Sequence, residues 1–467
     1  MPGVQNSEDG GIYRSSPDGR GMRTRKPRRN IMTIQNLDPG LPVIQEADLE
    51  DKIVLVRVDH NVVKKGVIQD PYRIEQTFGT LYNIVERGGR PILMTHVGRP
   101  RDKKTGAITC DPKSGVKPIV RYLEQKLHTN FVVPDFPADG SNGITHIDDS
   151  IKPVVNDLRQ RKIDGIYLPN SRWFQGEEGH GPEREALTRQ LATLADVFIN
   201  DAFGSWQAHA STYDITKYLP SYAGFLMQKE IANLDRVLKP ERPFLAVVAG
   251  AKFDTKIGPL NKIYEKVDHL ILGGVMYNAY LAAKLGIEIA GVSESDVLAA
   301  KELVARDQQS RKIVELPKVI ESETMAEPFE GKFRTIGIKD FRTGNRYGFL
   351  LDVAPQSFED PQIKEVIAQA RTIFVNAVMG YSPYFTEGTK VLDLTIDKNP
   401  AAYKMFGGGD TLQEFKDQNP GLYLKAIDNL QYYFFTGGGT VLTAIEEGTP
   451  YLLKPIQALM EKGKQQA

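Results

Sequence analysis

The chain has a single cysteine, Cys110, in 467 residues, which excludes an intrachain disulfide framework and fits a reducing cytoplasm. It has no charge excess either, because 59 Lys plus Arg stand against 59 Asp plus Glu. No global attraction to nucleic acid or to an anionic membrane follows from that balance. No apolar run approaches the roughly 20 residues that span a bilayer. The seven histidines contain no H-x-x-x-H pair, which with the lone cysteine argues against a zinc site. The P-loop pattern, a G-x-G-x-x-G between strand and helix, and the G-x-S-x-G elbow are also missing. The chain reads as soluble.

At 467 residues the chain is too long for one ordinary core, and two domains of roughly 200 residues each are expected. Residues 1–31 are rich in Gly, Ser, Pro and Arg, with almost no apolar periodicity, so residues 1–35 read as a disordered leader. Its basic cluster, Arg20, Arg23, Arg25, Lys26, Arg28 and Arg29, reads as a solvated leader, as the product of an upstream start codon before Met22 or Met32, or as a targeting or nucleic-acid tail.

From Ile53 onward, short β-branched runs alternate with helical patterns, the signature of βαβ units and a parallel sheet. The first half offers strands at Ile53–Val58, Pro91–Thr95, Phe131–Val133, Gly165–Leu168 and Val197–Asn200. The second offers Phe244–Val248, His269–Leu272, Ile313–Leu316, Thr372–Val375 and Tyr432–Phe435. Helices are expected at Arg73–Glu86 and Glu183–Leu194, and a long one at Tyr222–Leu238 that ends before the prolines of Lys239-Pro240-Glu241-Arg242-Pro243. The fold class is α/β: two doubly wound, parallel-sheet, Rossmann-like domains facing a cleft, joined by a hinge helix. Their expected limits are 36–222 and 223–445, with 446–467 as a C-terminal tail.

Two glycine-rich turns stand out near the C-terminus, Phe406-Gly407-Gly408-Gly409-Asp410-Thr411 and Phe435-Thr436-Gly437-Gly438-Gly439-Thr440. Three glycines after an apolar strand leave backbone N–H groups uncovered, and a helix that starts there points its positive end at an anion. Either turn alone also reads as a tight strand-to-helix connection with no ligand. In the first half, polar groups follow strand ends: Asp59 and Asn61 after the first, Arg73 at the next helix, His96 and Arg99 after the second, Arg172 after a later one. Ligands bind outside the carboxyl ends of such strands, and several guanidinium groups together call for phosphate or carboxylate. Lys252 and Lys256 follow another apolar strand at a helix start, where a polyphosphate would relieve their opposition to the helix dipole. Asp410 is either a helix N-cap or a magnesium ligand.

Seven motifs in this order resemble the phosphoglycerate kinase family over nearly the whole chain after the leader. They are Arg57-Val58-Asp59-His60-Asn61, Thr95-His96-Val97-Gly98-Arg99-Pro100, Asn200-Asp201-Ala202-Phe203-Gly204, Ala223-Gly224-Phe225-Leu226, Gly250-Ala251-Lys252, Gly408-Gly409-Asp410-Thr411 and Thr436-Gly437-Gly438-Gly439. The resemblance implies reversible phosphoryl transfer between 1,3-bisphosphoglycerate and ADP, giving 3-phosphoglycerate and ATP, by a cytoplasmic monomer. It implies that Asp59, Asn61, Arg73, His96, Arg99 and Arg172 bind 3-phosphoglycerate and that Arg73 and Lys252 meet the transferring group. Lys256, Asn376, Gly408, Gly409 and Thr411 would hold the nucleotide, and Asp410 the Mg²⁺ that accompanies ATP or ADP. Hinge closure would bring the two substrates together and exclude water.

The sequence departs from the family in two places that bear on ligands. Gln207 stands where an arginine normally reaches the triose phosphate, in a loop one residue shorter than usual. The stretch Gly380-Tyr381-Ser382-Pro383-Tyr384-Phe385-Thr386-Glu387-Gly388 is two residues shorter than its counterpart and lacks the family's ribose-binding glutamate. Asn376-Ala377-Val378-Met379, Gly273-Gly274-Val275-Met276 and Asp352-Val353-Ala354-Pro355 also depart from the family pattern. A related kinase with another carboxylate or nucleotide substrate, and a non-catalytic binding relative, are the alternatives.

Overall fold

The computed structural model describes residues 37–250, 257–327 and 332–466. The leader, Lys252 and Lys256 lie outside the described residues. Two parallel sheets dominate. The first contains β1 (Ile53–Val58), β2 (Arg90–Met94), β3 (Phe131–Val132), β4 (Gly165–Tyr167), β5 (Val197–Asp201) and β6 (Ser221–Ala223), in the order β3-β4-β2-β1-β5-β6. All five of its pairings are parallel.

The register of β1 shows why this run makes a central strand. Ile53 and Leu55 enter the core on one face while Val54, Val56 and Val58 enter the core on the other. Side chains alternate across a strand, so a strand buried on both faces is a near-continuous apolar run, broken in β1 by Arg57 alone.

The second sheet contains β7 (Phe244–Gly250), β8 (His269–Gly273), β12 (Thr372–Asn376), β13 (Tyr403–Gly407) and β14 (Tyr432–Phe435), in the order β8-β7-β12-β13-β14. Between β8 and β12 the chain adds a small antiparallel sheet, β9 (Lys318–Ser322), β10 (Phe333–Gly337) and β11 (Phe349–Val353). In each large sheet the strand order reverses, between β1 and β5 in the first and between β7 and β12 in the second, which opens a crevice at the carboxyl ends.

Four expectations are corrected here. Ile313–Leu316 is not a strand, since its one pairing is a single bridge between Ile313 and Leu270. The helix expected over Arg73–Glu86 is two pieces, Tyr72–Glu75 and Phe78–Glu86. The strand expected at Pro91–Thr95 runs one residue earlier, because Arg90 pairs with Ile53. The long helix begins at Phe225, as α1 (Phe225–Leu238), because Tyr222 is taken by β6 in register with Ile199.

The start of α1 is set by another element. Asp201, at the end of β5, accepts hydrogen bonds from Leu226 N (2.9 Å) and Met227 N (3.2 Å). A Cβ on Gly224 would stand 2.2 Å from Asp201 Oδ1, so a residue without a side chain is needed at that cap. Met227, Ile231, Leu234 and Val237 then join the core of the second sheet.

The remaining named helices are α2 (Gly274–Leu285), α3 (Gly409–Gln418), α4 (Gly438–Glu447) and α5 (Lys454–Gln466). The last packs on β6 and the turn Asp214–Lys217, where a Cβ on Gly463 would stand 2.7 Å from Pro42 Cγ. Among the described residues, no helix is long and apolar enough to cross a membrane.

Candidate active site

The carboxyl ends of the two sheets face each other. Tyr72 donates from its hydroxyl to Phe434 O at 2.9 Å, and the Tyr72 and Phe434 rings meet edge to face. Lys416 Nζ lies 3.0 Å from Asp70 Oδ1. Between the sheets opens a cavity of about 860 Å³, lined from one side by Arg73, Gly204 and Trp206 and from the other by both glycine turns, Asn376, Asp410 and Thr411. Its volume suits a substrate of some size.

The glycine turns are built for close approach. Gly408 has φ +122°, a backbone conformation that side chains rarely adopt. A Cβ on Gly438 would fall 2.3 Å from Gly408 Cα, so the starts of α3 and α4 touch. Two helix N-termini therefore present uncovered N–H groups and positive dipole ends to one cavity. Asn376, at the end of β12, donates from its amide nitrogen to Gly407 O and so ties that strand to the first turn. Asp410 lies exposed in the first turn of α3.

On the opposite wall, Arg73 Nη1 lies 3.5 Å from Asp59 Oδ2. Asp59 is buried and its Oδ1 has no hydrogen-bond partner, which leaves acceptor capacity beside the cavity. Asn61 and Arg172 converge on the loop after β2: Gly98 N donates to Asn61 Oδ1 at 2.9 Å, and Arg172 Nη1 donates to Gly98 O at 2.7 Å. Arg172 Nε lies 2.9 Å from Glu178 Oε1. Arg99, the next residue in that loop, is exposed. Of these first-lobe residues, Arg73 alone lines the cavity, with Asp59 paired to it; Asn61, His96, Arg99 and Arg172 do not line it.

His96 is held by a residue that the sequence reading placed only within a motif. Arg57 is fully buried inside β1, and its Nη2 donates to His96 Nδ1 at 3.0 Å. A guanidinium has no acceptor, so His96 Nδ1 must accept and its proton sits on Nε2. Burial, then Arg57 and Arg172, push the imidazole well below its usual titration range, so it is neutral.

The Arg57 charge is itself balanced through a serine. Arg57 Nε donates to Ser211 Oγ at 2.9 Å, and Ser211 Oγ donates to Glu177 Oε1 at 2.6 Å. A buried cation needs such partners. Neither Glu177 nor Ser211 was visible as a site residue in the sequence. The signal that could have found the network is an arginine inside an otherwise apolar strand, Ile53-Val54-Leu55-Val56-Arg57-Val58.

A cleft between two parallel-sheet lobes, with arginine on one wall and two glycine-lined helix starts on the other, defines a two-lobed α/β kinase. A phosphoglycerate kinase family model matches residues 44–448. The chain belongs to the phosphoglycerate kinase family. It is 32% identical over 412 residues to phosphoglycerate kinase of Dictyoglomus turgidum, covering 86% of this chain and 95% of that one. It is 34% identical over 413 residues to phosphoglycerate kinase of Thermus thermophilus, covering 86% and 96%. The structure of phosphoglycerate kinase from Coxiella burnetii superposes with a TM-score of 0.69 at 26% identity, over 91% of this chain and 100% of that one. The Pyrococcus horikoshii phosphoglycerate kinase shares the fold, with a TM-score of 0.66 at 21% identity, over 90% and 100%.

Proposed function

We propose that this chain transfers a phosphoryl group reversibly between the acyl phosphate of 1,3-bisphosphoglycerate and ADP, giving 3-phosphoglycerate and ATP. The observation that carries the reading is that Arg73 lines the same cavity as Gly408, Gly409, Gly437 and Gly438. Phosphoryl transfer spreads negative charge over equatorial oxygens while the entering and leaving oxygens stay in line. Catalysis is then a matter of positioning and fixed positive charge, and no general base is needed where a carboxylate attacks or leaves. The neutral, buried His96 fits a site that positions rather than titrates.

In this reading the first lobe, residues 36–222, holds 3-phosphoglycerate through Asp59, Asn61, Arg73, His96, Arg99 and Arg172. The second, residues 223–445, holds the nucleotide through Lys256, Asn376, Gly408, Gly409, Asp410 and Thr411. The tail 446–467 steadies the first lobe. Arg73 and Lys252 meet the phosphoryl in transit. Closure about α1 is supported by the placement of its residues in the second lobe's core while its N-terminus is capped from β5.

Asp410 is the residue that would hold Mg²⁺. Among the described residues, no group of three or more His, Cys, Asp or Glu side chains could hold a metal. A lone exposed carboxylate beside the phosphate-binding turns suits a cation that keeps waters and phosphate oxygens as its other ligands. When bound, the ion neutralises phosphate charge. The proposal extends to glycolytic work in the cytoplasm by a monomer, which a single cysteine fits.

A coupled assay with 3-phosphoglycerate and MgATP tests the reading. Turnover that depends on both substrates supports it. Turnover with a different carboxylate acceptor alone supports a related kinase, and nucleotide binding without turnover a non-catalytic relative.

A further inference from the structure

Two buried side chains that line the cavity, Glu414 and Thr440, each keep an oxygen without a hydrogen-bond partner. Glu414, one turn along α3 from Asp410, is only 5% exposed, yet it lines the cavity. Its Oε1 has no hydrogen-bond partner. Its carboxyl meets the side chain of Ser382, in the loop 380–388 that lacks the family's ribose-binding glutamate. A buried acceptor left unpaired costs free energy unless a ligand supplies the donor.

Val275, Leu350, Leu351, Val378 and Leu442 share the cavity lining with polar groups, and the placement of those groups identifies that donor. At one end lie Arg73 and the N–H groups of the glycine turns; at the other, Gln413, Glu414 and Asp417 line the wall with Tyr381 and Ser382. Asp352, on another element, lies close enough that Glu414 and Glu387 add to the burial that pushes its carboxyl up to about 7. A second anionic group would be repelled there, whereas hydroxyl groups would be welcomed. Four residues of helix rise is about 6 Å, which is the reach from a phosphate at the start of α3 to the sugar that carries it.

We propose that Glu414 reads the sugar hydroxyls of the bound nucleotide, making it a specificity-determining residue for ribose over deoxyribose. This rests on the nucleotide reading of the cavity given above. No covalent step is involved: the carboxylate accepts hydrogen bonds from the vicinal 2′- and 3′-hydroxyls, and Ser382 orients it.

Equilibrium binding of MgADP, 2′-deoxyADP and 3′-deoxyADP to the full chain, measured by calorimetry, tests the assignment without requiring turnover. The unmodified protein is expected to bind MgADP about tenfold or more tightly than at least one deoxy analogue, the effect of losing a hydrogen bond to a charged group. Glu414→Ala should bring that ratio close to one by weakening MgADP alone, and Glu414→Gln, which keeps one carbonyl acceptor, should fall between. A merely structural role would weaken all three ligands equally. An unchanged ratio in Glu414→Ala, or no discrimination by the unmodified protein, would overturn the proposal. Failure of all three nucleotides to bind would overturn both it and the nucleotide reading, whereas discrimination without phosphoryl transfer would count against the proposed reaction and leave the role of Glu414 standing.

Discussion

Gly204, just beyond β5, and Gly437, just beyond β14, meet backbone to backbone across the two lobes: a Cβ on Gly437 would stand 2.5 Å from Gly204 Cα. A Cβ on Gly204 would in turn stand 2.1 Å from Asp59 Oδ2. The contact brings the two sheet ends together with nothing between them, beside the cavity that both residues line.

Gly437→Ala therefore pushes on the seam itself. Its backbone, at φ −124°, accepts an alanine without strain, so the effect falls on the contact with Gly204 and, within the same lobe, on the end of the Thr440 side chain at 2.9 Å. Overpacking of this kind costs about 1–3 kcal/mol. The expected outcome is a roughly tenfold lower kcat/KM with a melting temperature close to that of the unmodified protein. Steady-state kinetics beside a thermal melt would check it, and an unchanged kcat/KM would show that the contact does not matter to transfer.

Arg57 fixes the state of His96. With Nδ1 accepting from Arg57 Nη2 and the imidazole pushed far below its usual range by burial and by Arg57, His96 should stay neutral with its proton on Nε2 from pH 8 down to pH 5. Nitrogen-15 NMR of the ring reads this directly. Protonation of Nδ1 within that interval would contradict the arrangement.

Gln207 is exposed in the loop that follows Gly204. A neutral amide there offers no charge-assisted bond to a triose phosphate, a difference of about 1–2 kcal/mol. Gln207→Arg should lower the KM for 3-phosphoglycerate by roughly tenfold and leave the KM for ATP alone. Equal KM values in variant and unmodified protein would mean that other groups already supply the charge.

How far these features can be read from the sequence differs from residue to residue. The strands Ile53–Val58 and Tyr432–Phe435 are legible to the residue, because burial on both faces demands a near-continuous apolar run. β13, which supports the first glycine turn, is legible only as a strand of undefined limits ahead of the three glycines. Lys404 interrupts its apolar pattern, yet this lysine is buried with its Nζ 4.9 Å from the centre of the Tyr432 ring. The antiparallel sheet was missed for a similar reason: Lys318, Glu321 and Arg334 give its strands a surface composition, and the Arg334–Glu321 ion pair that makes sense of it joins two different strands.

For the site, the glycine turns and Arg73, which line one cavity, were legible because the carboxyl-end rule places them without knowledge of packing. Glu177, Ser211 and Glu414 were not. Their significance lies in partners, or in a missing partner, that only the folded chain brings within reach.

Glu230, fully buried in α1, accepts a hydrogen bond from Thr436 N at 2.8 Å. Burial, opposed by that bond, pushes its carboxyl up to about 8 from 4.5. Between those values the folded chain keeps a proton that the unfolded chain has released, so this group makes stability fall as pH rises from about 4.5 to 8. Glu230→Gln keeps an oxygen acceptor for Thr436 N and removes the ionisation. It should be more stable than the unmodified protein by about 3 kcal/mol at pH 7 and by only about 1 kcal/mol at pH 5. Denaturant unfolding at the two pH values decides the matter; a gain of the same size at both would mean that Glu230 does not titrate as described.

The central claim is that Arg73, reaching from the first lobe, acts on a phosphoryl group held by the glycine turns of the second. Phosphorus-31 NMR exchange between the γ-phosphate of ATP and the acyl phosphate of 1,3-bisphosphoglycerate, with both substrate pairs at equilibrium on the protein, follows that group directly. The account predicts exchange in the unmodified protein and a loss of about 100-fold or more in Arg73→Ala, with nucleotide binding retained. Exchange at full rate in Arg73→Ala, or none in the unmodified protein with both substrates bound, would contradict it.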